Sequence, residues 1–70
     1  MGDIAAIGAE PLIRWYALAG VRLFPADTDD EVRVAWHRLG AGVDLVILTA
    51  AAERALAGAV TTGPLVAVLP

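Results

Sequence analysis

Four short apolar runs alternate with three segments of helical periodicity, and this alternation constrains the fold more than any other feature of the chain. The runs cover residues 3–7, 21–24, 43–48 and 65–69, and each adjoins a glycine, proline or threonine. Runs of this length and composition are typical of strands. Strands that alternate with helices of about ten residues favour a parallel sheet with right-handed crossovers.

The segments between the runs carry the signals that begin and end helices. Proline near a first turn, threonine caps and C-terminal glycines occur where the periodicity starts and stops. These signals are Pro11 and Gly20 for the first helix, Thr28, Glu31, Gly40 and Gly42 for the second, and Thr49 for the third. The sequence therefore predicts helices over residues 10–19, between Thr28 and Gly40, and over residues 50–60.

Apolar residues at helical spacing predict which side of each helix packs on the sheet. The predicted buried stripes are Leu12, Trp15, Tyr16 and Ala19, then Val32, Ala35, Trp36 and Leu39, then Ala52, Leu56 and Ala59. Trp15 is ambiguous, because Tyr16 can fill the core without it. Arg33, His37 and Arg38 fall on the side of the second helix that we expect to face water.

The element order βαβαβαβ predicts one α/β domain spanning residues 1–70, a small four-stranded parallel sheet with three helices. For a small sheet of this kind the flavodoxin-like strand order 2-1-3-4 is the commonest. Right-handed crossovers then place the first helix on one face of the sheet and the other two helices on the opposite face. The chain has no cysteine, so its core receives no help from disulfides, and a core of this size supplies only ~3–5 kcal/mol.

The charge balance excludes several classes of function. Five arginines and no lysine stand against eight acidic residues, for a net charge of −3. The chain therefore offers no basic stripe for nucleic acid or for anionic lipid. Its first residues lack the basic segment of a signal peptide, and the uncharged run before Glu53 is too short to span a membrane. We expect a cytoplasmic protein without direct membrane insertion.

Small-molecule chemistry is expected, if anywhere, at the carboxyl ends of strands 1 and 3, where the strand order reverses. The residues there are Gly8, Ala9, Glu10, Thr49 and Ala50. One glycine is not a dinucleotide-binding fingerprint, and Glu10 would repel a phosphate from the helix terminus. We therefore expect no phosphate ligand and no cofactor.

Catalytic and metal-binding groups are also missing from the sequence. Response-regulator receiver domains share this topology, but they carry acidic residues after strands 1 and 3, where this chain has Gly8 and Thr49. The chain has no serine, cysteine or lysine, and a solvated position explains its one histidine better than a role as general base. The acidic cluster between Asp27 and Glu31 lacks the glycine that a calcium loop needs. We therefore expect neither an enzyme nor a metal site.

The chain resembles the F-subunit family of the vacuolar/archaeal-type (V/A-type) rotary ATPases along its whole length. That family opens with a strand ending in Ile-Gly, followed by a helix ending Gly-Phe-x-Leu-Ala-Gly-Val. The matching segments are Asp3-Ile4-Ala5-Ala6-Ile7-Gly8, Leu18-Ala19-Gly20-Val21 with Tyr16 for the phenylalanine, the Thr28 to Glu31 helix start, Val43 to Thr49, and Pro64 to Pro70. Trp15 departs from the pattern, because the family has a small glycine there.

The resemblance implies a non-catalytic component of the central rotor stalk. Such a component docks on the coiled coil formed by the D-subunit of the stalk, near the adaptor to the membrane sector, and couples ATP hydrolysis or synthesis to ion transport. Its place is cytoplasmic, peripheral to the membrane through the complex. The alternative interpretation is a stand-alone flavodoxin-like or receiver-like module without a phosphoacceptor, which binds a small ligand or a protein.

Strands 3 and 4 are predicted to be uncovered on the side of the first helix. No helix is predicted after strand 4 to complete that layer, yet successive residues of both strands are apolar, as in strands buried on both faces. The candidate interface residues are Trp15, Val43, Leu45, Val46, Ile47, Leu65 and Leu69. We expect a partner helix to lie beside the first helix with Trp15 at the rim, or a homodimer when the chain is alone. Which alternate residues face that side stays open.

Overall fold

The computed structural model describes residues 2–39, 42–57 and 65–69 and confirms the predicted α/β architecture. The strands are β1 (Asp3–Gly8), β2 (Arg22–Pro25), β3 (Val43–Leu48) and β4 (Leu65–Val68). The helices are α1 (Glu10–Ile13), which continues as a 3₁₀ helix over Arg14–Ala19, α2 (Asp29–Arg38) and α3 (Ala50–Ala55). The strands form one parallel sheet in the order β2-β1-β3-β4. We call α1 and its 3₁₀ continuation together the first helix.

Three of the predicted features fall partly or wholly outside the described residues. Helix α3 ends at Ala55 with Leu56 as its C-cap, so the predicted helix over residues 50–60 is too long by Leu56 and Ala57, and its last residues 58–60, including Ala59, lie outside the described part. The same holds for Gly40 and for the predicted turn at 61–64. Within the described residues, no helix has the length and apolar character that crossing a membrane requires.

The predicted N-terminal caps of α2 and α3 and the C-cap at Gly20 are confirmed, whereas α2 ends at Arg38 with Leu39 as its C-cap, before the predicted Gly42. Thr28 Oγ1 accepts a hydrogen bond from the Glu31 amide at 3.1 Å, and the Glu31 carboxylate accepts from the Thr28 amide at 3.2 Å and the Asp27 amide at 2.8 Å. Thr49 Oγ1 accepts from the Ala52 amide at 3.2 Å. Gly20 ends the first helix in the left-handed conformation, with φ 81°. Because each cap involves residues close in sequence, these boundaries follow from the sequence without knowledge of the fold.

The sheet separates two clusters of buried residues, as the crossover rule predicts. Helices α2 and α3 cover one side, where the buried residues are Ala5, Ile7, Ala26, Val32, Ala35, Leu39, Val43, Val46, Leu48, Ala52 and Leu56. The first helix covers the other side, where the buried residues are Ala6, Ile13 and Val21. The larger part of the core therefore lies between the sheet and the pair α2 and α3.

The predicted buried stripe of the first helix is right for Tyr16 and wrong for Leu12 and Ala19. Ile13 is fully buried and Tyr16 partly buried, whereas Leu12, Trp15 and Ala19 are exposed. The segment is α-helical only up to Ile13 and 3₁₀ from Arg14, and residues spaced by three share a side in both geometries. Ile13 and Tyr16 therefore share the inner side, whereas Leu12 and Trp15, one residue earlier, share an exposed side.

The other two stripes are largely confirmed. Val32, Ala35 and Leu39 of the second stripe are buried, and Trp36 is partly buried against the same cluster. The three residues expected in water on α2, which are Arg33, His37 and Arg38, are exposed. Ala52 and Leu56 of the third stripe are buried. Regular α-helical geometry makes these assignments follow from spacing alone.

A register shift between β1 and β3 decides where Val43 points. Asp3 pairs with Val43 but Ile4 pairs with Leu45, so Asp44 is an extra residue in β3. A bulge of this kind reverses the alternation of side chains along the bulged strand. Val43 therefore packs in the α2 and α3 cluster together with Val46 and Leu48.

Candidate functional site

The carboxyl ends of β1 and β3 approach each other closely at the switch point of the sheet. The amide of Thr49 donates to the Ile7 carbonyl at 3.2 Å, and the amide of Ala26 donates to the Gly8 carbonyl at 2.8 Å. Gly8 has φ 156°, and a Cβ at this position would overlap the Thr49 side chain. Glycine is therefore needed here for packing between the two strands.

A cleft of about 250 Å³ lies at this carboxyl edge. Its lining is mostly alanine and leucine, and the full set is Ala9, Leu12, Ala26, Asp27, Thr28, Asp29, Val32, Thr49, Ala50, Ala51, Ala52 and Leu69. The charged groups in this set are the carboxylates of Asp27 and Asp29, which oppose an anionic ligand. The hydroxyls of Thr28 and Thr49 are engaged as helix caps. The cleft therefore suits a small apolar or cationic group better than a phosphate.

The described residues bring no catalytic constellation together. His37 lies exposed on α2, and no group of three or more histidine or acidic side chains in the described part of the chain is arranged to hold a metal ion. The acidic cluster serves the α2 N-terminus, where Asp29, Asp30 and Glu31 occupy the first turn. Acidic residues at this position stabilise a helix through its dipole.

Strands β3 and β4 present an apolar surface on the side of the first helix. Four residues form this surface, which we call the open face: Leu45, Ile47, Leu65 and Ala67. The register aligns Leu45 with Leu65 and Ile47 with Ala67, so the four side chains lie in two adjacent rows. Leu45 and Ile47 are partly buried, Ala67 is exposed, and Leu65 is 77% exposed. None of the four is charged.

The first helix borders the open face with apolar residues of its own. Leu12, Trp15 and Leu18, which we call the outer stripe, are 58%, 67% and 86% exposed. Leu12 also lines the cleft at the carboxyl edge, so one end of the outer stripe lies at that edge. Residues spaced by three share a side of a helix, so the three residues form one exposed stripe.

The structure divides the predicted interface residues into three groups. Leu45, Ile47 and Leu65 belong to the open face, and Trp15 lies in the outer stripe at its rim. Leu69 is partly buried and lines the cleft at the carboxyl edge. The prediction is wrong for Val43 and Val46, because both are buried beneath α2 and α3.

Two residues of this surface are not found by reasoning from the sequence. Leu12 is predicted in the core, and Leu18 is in no predicted group. The signal that could have found them is the charge distribution, because Arg14 is the one charged residue between Pro11 and Ala19. A helix that is apolar on every side has more than one buried face.

Comparison with models of protein families, with curated proteins and with solved structures finds no match for this chain. No relative therefore supplies a ligand or a partner. Two places in the described structure bear on function: the switch point, which has few reactive groups, and the open face, which is an apolar surface bordered by an exposed helix.

Proposed function

We propose that this chain is a non-catalytic docking module, and that the open face is where its partner binds. The observation that carries the proposal is the exposure of Leu65 and Ala67 beside the exposed outer stripe. Monomeric proteins rarely leave contiguous apolar patches larger than a few hundred Å² in water. A strand whose successive residues are all apolar is normally covered on both faces.

The partner element that fits the open face is an α-helix with an apolar stripe. Two neighbouring strands are about 4.8 Å apart, so the pair offers a floor of roughly the width of a helix, about 10 Å. The four residues over which β3 and β4 pair give this floor a length of about 13 Å, which corresponds to roughly nine helical residues. Because the open face is uncharged, the contacting side of the partner helix is apolar as well.

We propose further that the partner helix belongs to the coiled coil of a rotary ATPase stalk. The support is the resemblance of the chain to the F-subunit family of the V/A-type enzymes, together with a surface that suits a long helix. In this role the chain is a central-stalk component, peripheral to the membrane on its cytoplasmic side. It transmits torque between ATP hydrolysis or synthesis and ion transport, while the coiled-coil D-subunit and the neighbouring stalk and adaptor components are its contacts.

A second candidate function is the binding of a small molecule in the cleft at the carboxyl edge. Its position at the switch point of the sheet favours this interpretation, because such sheets bind ligands there. Its volume of about 250 Å³ lies just below the range of roughly 300–1,000 Å³ that is usual for ligand pockets. The mostly apolar lining with Asp27 and Asp29 would select a small ligand without negative charge.

Binding to an isolated stalk coiled coil tests the first proposal. The helical hairpin of the D-subunit from a V/A-type ATPase is titrated into the chain by calorimetry, and we expect saturable binding. Leu65→Glu, which puts a charge on the open face, should weaken binding at least tenfold. Val34→Glu is the matched control, because Val34 is also exposed but lies on α2, away from the open face.

The wild-type titration tests the identity of the partner, and the comparison of the two variants tests the docking face. If the wild-type chain does not bind the hairpin, the rotary ATPase role is wrong. If Leu65→Glu and Val34→Glu bind as well as the wild type, the docking face is wrong even though the partner is right.

A further inference from the structure

The first helix is apolar on its outer side as well as on its inner side. Ile13 and Tyr16 pack on the sheet, while the outer stripe of Leu12, Trp15 and Leu18 faces away from this core. Helix α2 differs, because its exposed residues include Asp30, Arg33, His37 and Arg38. A helix without a polar side is normally covered on both sides.

Within residues 2–39, 42–57 and 65–69, two neighbouring places lack a cover. The first helix covers β1 and β2, and no described residue forms a layer above its outer stripe. Strands β3 and β4 have no described helix above the open face. The open face lacks a helix above it, and the outer stripe lacks an apolar surface above it. Each of these two surfaces is therefore of the type that the other lacks.

We propose that a second copy of this chain supplies both missing covers. A twofold axis that runs parallel to the strands, between the two first helices, turns the second sheet over and reverses its strand order from left to right. Each first helix then lies between β1 and β2 of its own copy and β3 and β4 of the other. The dimer is a sandwich of two sheets around a shared middle layer of two helices.

Other twofold axes do not produce this arrangement. An axis in the same plane but perpendicular to the strands would place one first helix on top of the other. An axis perpendicular to the sheet would join the exposed edges of β4 and leave both open faces uncovered. The parallel axis gives an isologous interface, in which each contact occurs twice.

The geometry of the crossover predicts which residues meet in the dimer. A helix between parallel strands runs in the direction opposite to them, so Leu18 lies near the amino ends of the strands and Leu12 near the carboxyl ends. An axis parallel to the strands keeps the amino ends of both copies together. Leu18 of one copy therefore lies over Leu45 and Leu65 of the other, and Trp15 lies over Ile47 and Ala67.

The apolar character of the two surfaces fits this dimer. The open face carries no charge, and among the described residues the outer stripe is interrupted only by Arg14, whose guanidinium lies 5.6 Å from the centre of the Trp15 ring.

The dimer has a consequence for the docking of a partner. This inference rests on the docking face of the proposed function, although not on the identity of the partner helix. A second copy and a partner helix occupy the same open face, so the dimer must dissociate before the partner binds. Self-association would keep the apolar surface covered until the partner is present.

Sedimentation of the isolated chain from about 1 µM to 1 mM tests the dimer. We expect the wild type and the control Val34→Glu to sediment as dimers over the upper part of this range. Leu18→Glu and Leu65→Arg should each raise the dimer dissociation constant at least tenfold. Circular dichroism of each variant establishes that it is folded.

Mixing the two variants gives the sharpest result. In a mixed dimer one Leu18 to Leu65 contact keeps both leucines, and the other pairs the introduced carboxylate with the introduced guanidinium. An equimolar mixture of Leu18→Glu and Leu65→Arg should therefore recover dimers that neither variant forms alone. Recovery would not occur if the two positions belonged to different surfaces.

Cysteine cross-linking provides a second test that does not depend on introduced charges. The chain has no native cysteine, so Leu18→Cys and Leu65→Cys are each the only thiol in their chain. Their mixture should form a disulfide-linked heterodimer, because the Cα atoms of a disulfide lie within about 7 Å. Val34→Cys mixed with either variant is the control that should remain unlinked.

Three results would overturn the proposal. These are a wild type that stays monomeric up to 1 mM, a dimer that neither Leu18→Glu nor Leu65→Arg weakens, and the absence of both recovery and cross-linking in the mixtures. A monomeric chain that still binds the stalk hairpin would refute the dimer and leave the proposed function standing. A chain that dimerises but does not bind the hairpin would support the dimer and refute the proposed rotary ATPase role.

Discussion

The two sides of the sheet are made from the same four strands but differ in how far they are covered. Eleven buried residues lie on the side of α2 and α3, and three lie on the side of the first helix. The strand residues are equally apolar on both sides, as Val46 and Leu48 on the first side compare with Leu45 and Ile47 on the second. The apolar residues of a strand therefore indicate which of its faces are suited to burial, whereas the helices on each side of the sheet determine how much of each face is buried.

Charge substitutions at two adjacent residues of β3 should give the largest contrast between the sides. Val46 is fully buried beneath α2 and α3, so Val46→Asp places an unpaired charge in the core and should exceed the ~3–5 kcal/mol available to a domain of this size. Ile47 is partly buried on the open side, and Ile47→Asp should leave a folded monomer. Urea denaturation followed by circular dichroism measures both. Equal unfolding of the two variants would mean that no open face exists.

The two tryptophans should give the next largest contrast. Trp36 packs against the α2 and α3 cluster, and because it is only partly buried, Trp36→Ala should cost about 2–3 kcal/mol, below the range for a fully buried tryptophan. Trp15 is mostly exposed, so Trp15→Ala should cost less than ~0.5 kcal/mol in the monomer. His37→Ala on the exposed side of α2 is the control, with a similarly small effect. A larger cost at Trp15 than at Trp36 would reverse the assignment of the two sides.

Substitutions at the N-caps of α2 and of the first helix should change the free energy of unfolding in opposite directions, by about 1 kcal/mol or less. Thr28 caps α2 with its side chain, so Thr28→Ala should lower stability by about 1 kcal/mol. Ala9 precedes the first helix in an extended conformation and makes no side-chain cap. Ala9→Ser should therefore raise stability by a few tenths of a kcal/mol. Thermal melts of both variants test this, and a loss of stability in Ala9→Ser would show that the first helix does not begin where the structure places it.

Nucleotides and phosphates should leave the thermal stability of the chain unchanged, which is the smallest of the expected effects. Asp27 and Asp29 line the cleft, and Glu10 lies in the first turn of the first helix, so these three carboxylates oppose an anion at the switch point. Thermal melts with millimolar ATP, ADP, NAD or acetyl phosphate should not shift. Saturable stabilisation of ~1 kcal/mol or more by any of these would contradict the assignment, because a ligand that binds only the native state stabilises it by mass action.

Features that depend on neighbours in sequence or on topological rules could be predicted, whereas the burial along the first helix and the register between β1 and β3 could not. The Thr28 and Glu31 cap and the Gly20 C-cap involve residues within one turn, so their chemistry is visible in the sequence. The strand order follows from the alternation of strands and helices together with the crossover rule. These local and topological rules are enough to obtain the fold.

The failures have physical causes that a single sequence does not reveal. The first helix buries Ile13 and Tyr16, and because it is apolar on more than one side, spacing alone selects Leu12 and Trp15 in place of Ile13. The bulge at Asp44 turns Val43 toward the core, although alternation would place it with Leu45. The topology therefore predicts where the candidate surface lies, but two of the residues predicted for it, Val43 and Val46, belong to the other side of the sheet.

The order of the strands also determines when this chain can begin to fold. The central strands β1 and β3 are adjacent in the sheet, although β1 ends at Gly8 and β3 begins at Val43. Closing a loop of that length costs entropy before any contact between the strands forms, and such non-local pairing slows folding. The segment before β3 carries the small cluster of Ala6, Ile13 and Val21 and six of the eleven buried residues of the larger cluster, whose other five come from β3, Ala52 and Leu56. A chain emerging from the ribosome should consequently remain unfolded until β3 has left the exit tunnel, and then fold in a single cooperative step.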